Sequence, residues 1–500
     1  MSLGGATTFL GIDVGTGSSK AVLVDADGVL LDTARVAHEV SLPRPDWAEF
    51  DAAEMGWPEV ARLCHELFSR HDPTNVAGVC VSAMGPCLVV TDENLNPLRP
   101  TILYGIDARA GAEIDELTQV IGRDALLSEG GKVLSSQAVG PKLQWIKKRE
   151  PDTWAKATRW HSLSSFLVAK LTGEHVLDHH TASQCDPMYD LRNNRWHPER
   201  AALIAEHLAM PRLAWPSDVV GEVHRVGSEF TGIPRGVPVC AGTVDAWAEA
   251  LSAGVRRPGD LMLMYGSTMF FVMVIDDFEA HDKLWTTAGV EPGTLTLAAG
   301  MSTSGSLMEW MQHLFGEVPF ETLLREAASV PPGADGLLLL PYFAGERTPV
   351  FDPDARGVIV GLTLRHGRPH LYRATHEGIG FGIRQIIELL EGTGRPIERI
   401  LAVGGGTQAR LWLQIVSDIS GRVQILPNQT IGASYGDALL SAIGSGAVPP
   451  NTDWAKVGVT IEPNTTNADI YDRLYATYQA LYPATVEQVH ALAAIQTSSG

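Results

Sequence analysis

The sequence predicts an α/β fold made of two related halves. Three observations carry this. Short runs rich in Val, Ile and Leu alternate with helical patterns along the chain. Two apolar runs are each broken by a glycine–hydroxyl turn and then resume: FLGIDVGTGSSKAVLV at Phe9–Val24 and GDLMLMYGSTMFFVMVI at Gly259–Ile275. A third glycine cluster, ILAVGGGTQA at Ile400–Ala409, joins a strand pattern to a helix pattern.

The elements follow in order. Phe9–Val14 and Ala21–Val24 read as strands, and DADG (Asp25–Gly28) turns the chain into a third run, VLLDTARVAHEV. The first Gly-rich turn therefore joins two strands of a hairpin and does not lead into a helix. Ala52–Arg70 has apolar residues at helical spacing. Val76–Ser82 and Leu88–Thr91 read as strands, and Asp107–Ile121 as a helix. Val237–Ala241 is a short strand, and Asp245–Leu251 opens a helix. RRPG near Val255–Gly259 interrupts the pattern and divides the chain into residues 1–255 and 256–500. Beyond it, Leu371–Leu390 and Gln408–Ser420 read as helices; in the latter Leu411, Ile415 and Ile419 recur at every fourth position. Ile431–Gly444 is a small-residue helix.

The 500 residues are 45% hydrophobic and 19% charged, ordinary for a globular chain of two or three domains. A formal net charge of -20 argues against nucleic acid or an anionic membrane as main partner. Five cysteines without a C-x-x-C pair suit neither a disulfide framework nor a zinc site and point to a reducing cytoplasm. The most apolar window, Met262–Ile275, is too short to span a bilayer. Met1-Ser-Leu-Gly-Gly does not read as a signal peptide.

The glycine loops carry the chemistry. A Walker loop needs Gly-Lys-Ser/Thr opening a helix, whereas Gly17 is followed by Ser18-Ser19-Lys20 and a strand. GGGTQA (Gly404–Ala409) fits a dinucleotide fingerprint, but the acid that should follow is missing, since Val423–Leu426 ends at Pro427-Asn428. What remains is two hairpin turns whose amides and hydroxyls can nest an anion, one in each half. Each alone is also ordinary hairpin punctuation. Two matched turns together with GGG favour a triphosphate held from both sides.

Two acids stand out. Asp13 lies inside an apolar run, two residues before the first turn. A carboxylate there is costly unless paired, hydrated or facing a metal. Beside a phosphate turn it suits hydrated magnesium, and the plainer reading is an acid at a strand end. Asp245 opens a small-residue helix after Gly242-Thr243. It is either a helix N-cap or the base that accepts a hydroxyl proton during phosphoryl transfer, and composition leaves both open. His179-His180 has no third ligand at useful spacing and reads as a loop pair. The tail after Glu487 reads as frayed.

Together these segments resemble the FGGY carbohydrate kinases, members of the actin-like, hexokinase-like ATPase superfamily. The resemblance runs from about Thr8 to Gly446 in family order. GIDVGTGSSKAVLVDADG is similar to the family's first phosphate hairpin, WAEFDAAEMGW (Trp47–Trp57) to its W-x-E-x-D segment, and RPTILYGIDARA (Arg99–Ala110) to its W-x-D-x-R substrate segment. AGTVDAWAEALSAG resembles the segment bearing the catalytic Asp, and MYGSTMFF the second phosphate hairpin. LPYFAGERTPVFDPDARGVIVGL (Leu340–Leu362) is similar to a diagnostic C-terminal segment, and VGGGTQARLWLQIVSDISG to the adenosine loop with its helix.

The resemblance implies two RNase-H-like (actin-like ATPase) domains around a central cleft, residues 1–255 mainly for sugar and 256–500 mainly for ATP. It implies transfer of the ATP γ-phosphate to a hydroxyl of a pentulose-like sugar (xylulose or ribulose type) or a polyol, with Mg2+. Carried over, Asp245 is the base and Asp13 holds the hydrated metal, with Asp245 beside it. Thr16, Gly17, Ser18, Gly266, Ser267 and Thr268 contact phosphates; Gly405, Gly406 and Gln408 border the adenosine. Glu346 and Arg347 would pair and pin a loop beside the nucleotide. The implied partner is a small-molecule sugar or polyol; neither nucleic acid nor a membrane is expected, and a homodimer stays open.

The chain also departs from the family. Xylulokinases carry Ser-Gly-Gln-Met-His-Gly where it has SAMGPC (Ser82–Cys87), so the Met-His pair falls at Gly85-Pro86. YGIDAR has Tyr for Trp and one residue more before Asp107. The Arg-Glu pair of glycerol kinases is absent. A substrate wall of Met84, Gly85, Pro86 and Cys87, with Asp107 and Asp245, is expected to have less polar reach and more space. Gluconate, erythritol or another sugar are alternatives, as is a non-catalytic actin-like ATPase or sugar sensor.

Overall fold

The computed structural model describes residues 7–429 and 431–498. Two mixed sheets organise it. In the first, β1 (Thr8–Val14), β2 (Ser18–Asp25) and β3 (Leu30–Ala37) form an antiparallel meander, and β4 (Val76–Ala83) adds parallel to β1. The strands β5 (Val219–Glu222) and β6 (Pro238–Cys240) extend it to the order β5-β6-β4-β1-β2-β3, and β7 (Thr243–Val244) also pairs with β4. Val and Ile at alternating positions fill both faces, so β1 and β4 are buried along nearly their whole length.

The second sheet repeats this plan. It contains β8 (Asp260–Tyr265), β9 (Met269–Ile275), β10 (Trp285–Ala288), β11 (Leu295–Met301), β12 (Arg399–Val403), β13 (Gln424–Pro427) and β14 (Val457–Ile461). Their order is β10-β11-β9-β8-β12-β13-β14. Again a meander (β8, β9, β11) is followed by two parallel neighbours and an antiparallel edge strand. The two glycine–hydroxyl turns are the β1–β2 and β8–β9 loops, at equivalent places in the two sheets. The fold is α/β with two sheet-centred domains.

Two helices cross between the sheets. The helix Asp245–Ser252, which follows β7, packs Trp247 and Ala250 with Met262, Val272 and Leu401 of the second sheet. The helix Ala433–Gly444, from the far end of the chain, packs Ala438 and Leu439 with Phe9, Val22 and Cys80 of the first. Small residues permit the approach: a Cβ on Gly11 would lie 1.9 Å from the Ser434 carbonyl oxygen, and one on Gly436 would lie 2.0 Å from that of Ala248. Each half of the chain thus supplies a helix to the other's sheet.

A further core, including Leu88, Val139, Trp145, Trp160 and Ile204, stands over the first sheet's side of the cleft. Several expected boundaries move. The helix expected at Asp107–Ile121 starts at Gly111, because the residues before it form a turn held by Asp107. His179 and His180 lie in a short buried helix, His179–Ala182, and not in a loop; His180 Nδ1–H donates to Ala288 O at 2.7 Å, and the ring packs on Trp247. The chain after Glu487, expected to be frayed, is helical to Ser498. Met1–Ala6 and the final Ser499-Gly500 lie outside the described residues. Among the described residues no helix is long and apolar enough to cross a membrane.

Candidate active site

The first turn is closed by Gly15 N–H donating to Ser18 O at 3.1 Å. Below it, His38 Nε2–H donates to Gly15 O (2.9 Å), since a carbonyl can only accept. His38 Nδ1 lies 2.9 Å from Glu59 Oε2, which also accepts from Ser19 Oγ (2.6 Å). This brace fixes the carbonyl side of the turn inward. Gly17 forms the exposed tip, where a Cβ would meet nothing within 4 Å. Thr16 Oγ1 is 3.0 Å from the Tyr104 hydroxyl.

The second turn is closed by Gly266 N–H to Thr268 O at 3.1 Å. Its Gly266 and Ser267 carbonyls accept the N–H groups of Ser304, Gly305 and Ser306, at the start of the helix Gly305–Leu314. The carbonyls are again tied back, and the Ser267 and Thr268 side chains are exposed. Gly266 and Ser267 share a cavity of about 510 Å³ with Gly405, Gly406 and Gln408. Glycine is required there: a Cβ on Gly406 would lie 2.7 Å from Trp412 and 2.9 Å from Tyr265. The cavity's apolar side comes from Met308, Phe320 and Leu324, which no glycine pattern announces.

Four carboxylates meet where the two crossing helices reach the first sheet. Asp245 is the first residue of its helix, and Val244 occupies the cap position, so the N-cap reading does not hold. Its one hydrogen bond comes from the next N–H, of Ala246 (2.8 Å), and burial pushes its carboxyl up to about 6. Asp13 is held well above the usual carboxylate range by burial, then by Asp245, Asp437 and Glu249; Lys20 opposes this. Glu249, one helical turn after Asp245, is pushed up to about 7 by burial and then by Asp245. Asp437, from the other crossing helix, is fully buried and accepts from Ser82 Oγ (2.6 Å) and Ser82 N (3.2 Å). Lys20, paired across the hairpin with Asp13, donates to Ile431 O at 2.7 Å. Sequence reasoning missed Asp437 and Glu249. The signal for Glu249 was its place four residues after Asp245, and for Asp437 an acid inside an otherwise small, apolar helix.

Two family models match this chain: the N-terminal domain of the FGGY family of carbohydrate kinases over residues 8–252, and its C-terminal domain over residues 261–445. The chain belongs to the FGGY family of carbohydrate kinases. A xylulose kinase of Lactococcus lactis is 28% identical over 97% of this chain and 98% of its own length. A gluconokinase of Bacillus subtilis is 24% identical over 88% of each chain. The crystal structure of a xylulose kinase from Rhodospirillum rubrum superposes with a TM-score of 0.89, at 31% identity, over 97% of this chain and 100% of that one. The fold is thus the actin-like ATPase fold, and the protein is a carbohydrate kinase that uses ATP.

The sugar side of this FGGY kinase differs from expectation. Met84 and Cys87 are each 1% exposed, with side chains in the core of the first sheet, and Pro86 is buried. Only Gly85 of the expected wall keeps part of its surface open. Asp107 is 0% exposed: both oxygens are taken by Arg109, and Ala48 N–H donates to one of them at 2.7 Å. Its carboxylate therefore does not reach the cleft in this structure. The Arg109 guanidinium lies 3.8 Å from the Trp47 ring and also pairs with Glu49. In this way the W-x-E-x-D-like and substrate segments are locked together.

Lys142 and Gln137 hold the backbone of the neighbouring 103–105 segment. Lys142 Nζ donates to the Leu103 and Tyr104 carbonyls, which sets the position of the Tyr104 ring. Burial pushes this lysine down to about 8. Gln137 Oε1 accepts from Gly105 N–H at 2.9 Å. The expected Glu346–Arg347 side-chain pair is not formed. Glu346 accepts from the Ser302 and Arg347 backbone N–H groups (2.7 and 2.8 Å), while the Arg347 guanidinium donates to Met301 O.

Proposed function

We propose that the enzyme transfers the γ-phosphoryl group of ATP to a primary hydroxyl of a pentulose of the xylulose type. The single observation that carries the mechanism is Asp245. It is a half-buried carboxylate with a pKa near 6, set at a helix start beside the first phosphate turn and held by one local hydrogen bond. A base poised near the working pH is well placed to accept the hydroxyl proton as the oxygen attacks phosphorus. The acceptor class rests on the xylulose kinases among the relatives.

In this reading the turn residues Thr16, Gly17 and Ser18 face the phosphates from one side, and Gly266, Ser267 and Thr268 from the other. Gly405, Gly406 and Gln408 line the nucleoside cavity. The residues fit a magnesium ion: hard oxygen donors and an excess of negative charge, with Lys20 as the nearby counter-charge. Mg2+ is commonly held by one or two carboxylates and several waters. Asp13, with Asp245 beside it, would hold that hydrated ion, which neutralises phosphate charge. Tyr104, Gln137 and the Gly85 backbone would orient the acceptor, replacing the wall assigned to Met84, Pro86 and Asp107. The five cysteines are free and buried, in keeping with a cytoplasmic setting.

The test is ADP release from ATP and Mg2+ with a panel of pentuloses, aldonates and tetritols. Xylulose is expected to give the highest kcat/KM. Preference for an aldonate by tenfold or more would replace the acceptor and keep the reaction class. ADP release indifferent to every acceptor would refute the kinase assignment.

A further inference from the structure

We propose that Arg347 is a catalytic residue that binds the phosphoryl group in flight, a role resting on the kinase reading above. Arg347 is tied to the strand next to the second phosphate turn. Its Nη2 donates to Met301 O at 2.8 Å, and Met301 pairs across the second sheet with Met269, the residue after Thr268. Toward the other half, its charge is close enough to act on the Tyr104 phenol, whose hydroxyl bonds to Thr16 of the first turn. One guanidinium thus adjoins the second turn and faces a residue fixed to the first.

Its bonding state points to an anionic ligand. A guanidinium has five N–H donors, and the bond to Met301 O is its one hydrogen bond among the described residues. Among the described residues no carboxylate lies within 4.0 Å of it, although Glu346 is its chain neighbour: Glu346 Oε1 accepts from two backbone N–H groups, and neither of its oxygens pairs with the guanidinium. The remaining N–H groups are not among the sealed, unpartnered polar atoms of the fold, and the residue keeps part of its surface open. Gly300 makes the room: a Cβ there would lie 3.0 Å from Nη2. Its guanidinium carbon lies 6.0 Å from the Trp285 ring centroid, which leaves the N–H edges for an anion. An arginine that is half-buried, without a carboxylate partner and given space is suited to three equatorial oxygens on phosphorus.

The charge balance asks for such a group. The cleft floor holds Asp13, Asp245, Glu249 and Asp437 against Lys20. A triphosphate entering there meets net repulsion, which a second fixed cation offsets. During transfer the bond from the γ-phosphorus to the β–γ bridging oxygen breaks, and its electron pair leaves with ADP. The acceptor oxygen forms the new bond to phosphorus, and its proton passes to Asp245. Charge collects on the γ-oxygens and on the leaving oxygen, and Arg347 binds it there.

Arg347→Ala and Arg347→Lys test this. Xylulose is the probe acceptor, and ADP affinity in each variant reports an intact fold. Arg347→Ala is expected to lower kcat by about 10²–10³-fold, with ADP affinity and sugar KM within about twofold of wild type. The extra affinity for ADP with aluminium fluoride, which mimics the transferring group, is expected to vanish. Millimolar guanidinium is expected to restore part of kcat. Arg347→Lys, lacking the planar fork, is expected to stay at least about tenfold slow, and it carries the test if the alanine variant does not fold. Slow transfer to water without sugar should fall by the same factor, so an incorrect acceptor and an incorrect role for Arg347 are distinguishable. A kcat within about threefold of wild type, aluminium fluoride affinity left intact, or a loss confined to the KM of an anionic sugar would overturn the assignment.

Discussion

The two phosphate hairpins share a strand plan and differ in electrical character. In the first, Asp13 stands opposite Lys20 and Val14 opposite Ser19; in the second, the equivalent pairs are Met264 with Phe270 and Tyr265 with Met269. The first turn is braced by charged and polar side chains, His38, Glu59 and Ser19. The second is braced by backbone N–H groups from a helix start and opens onto an apolar cavity. A repeated scaffold has therefore been divided between two tasks. On the proposed reading, the acids suited to protons and metal gather on one side, and a largely apolar cavity suited to a nucleotide, with Glu309 and Glu321 in its lining, lies on the other. On that reading, backbone amides would offer the anion-binding surface at both turns.

The largest expected effect removes the chemistry from the first side and leaves the second intact. Asp245→Asn should lower kcat by about 10³-fold while ATP affinity stays within about twofold. Steady-state ADP release and an ATP titration measure the two quantities. Loss of ATP affinity in parallel would mean that the tasks are not divided in this way. The converse variant is Gly406→Val, which drives a branched side chain into Trp412 and Tyr265. Overpacking of this kind costs about 1–3 kcal/mol, so the KM for ATP should rise by about tenfold or more with the sugar KM unchanged. A rise in the sugar KM instead would place the Gly405–Gln408 loop outside the nucleotide site.

Much of this division was legible in the chain because it depends on local pattern. Both hairpins, the helix after Asp245 and the GGG loop are written in runs of apolar residues broken by glycine, and the strands fall within a few residues of expectation. What could not be read was long-range. Asp437 reaches Ser82 only because its helix crosses to the opposite sheet, over Gly11 and Gly436. Asp107 and Arg347 each carried a plausible local reading. Asp107 was withdrawn from the surface by Arg109 and Ala48, and Glu346 turned one oxygen to two backbone N–H groups while the Arg347 guanidinium turned to Met301 O. Competition for hydrogen-bond partners decides such cases, and a linear pattern does not record it.

The pH dependence sharpens the acidic side of the comparison. In the proposed mechanism Asp245 accepts the proton only when ionised, and burial pushes its carboxyl up to about 6. kcat/KM should therefore be flat above neutrality and fall about tenfold per unit below about pH 6. A plateau extending to pH 4.5 would show that this carboxylate is not the proton acceptor.

The smallest effect is on stability, and it tests whether the gathered acids oppose folding. Burial and Asp245 raise Glu249 to about 7 in the folded enzyme, against an ordinary glutamate in the unfolded chain. Between these two pKa values the folded state binds the extra proton, so stability is lost as pH rises through that window. Above it the ionised form carries the full cost, which is about 2 kcal/mol after allowing for partial hydration. Glu249→Gln removes the charge and keeps the shape. Without nucleotide or metal, the variant should melt above wild type at pH 8 and level with it at pH 5. Melting curves at the two pH values decide the matter. An equal shift at both would locate the effect in packing, and a loss at pH 8 would mean that Lys20 depends on Glu249 more than the other acids repel it. At the second hairpin the position equivalent to Asp13 is Met264, with nothing to titrate.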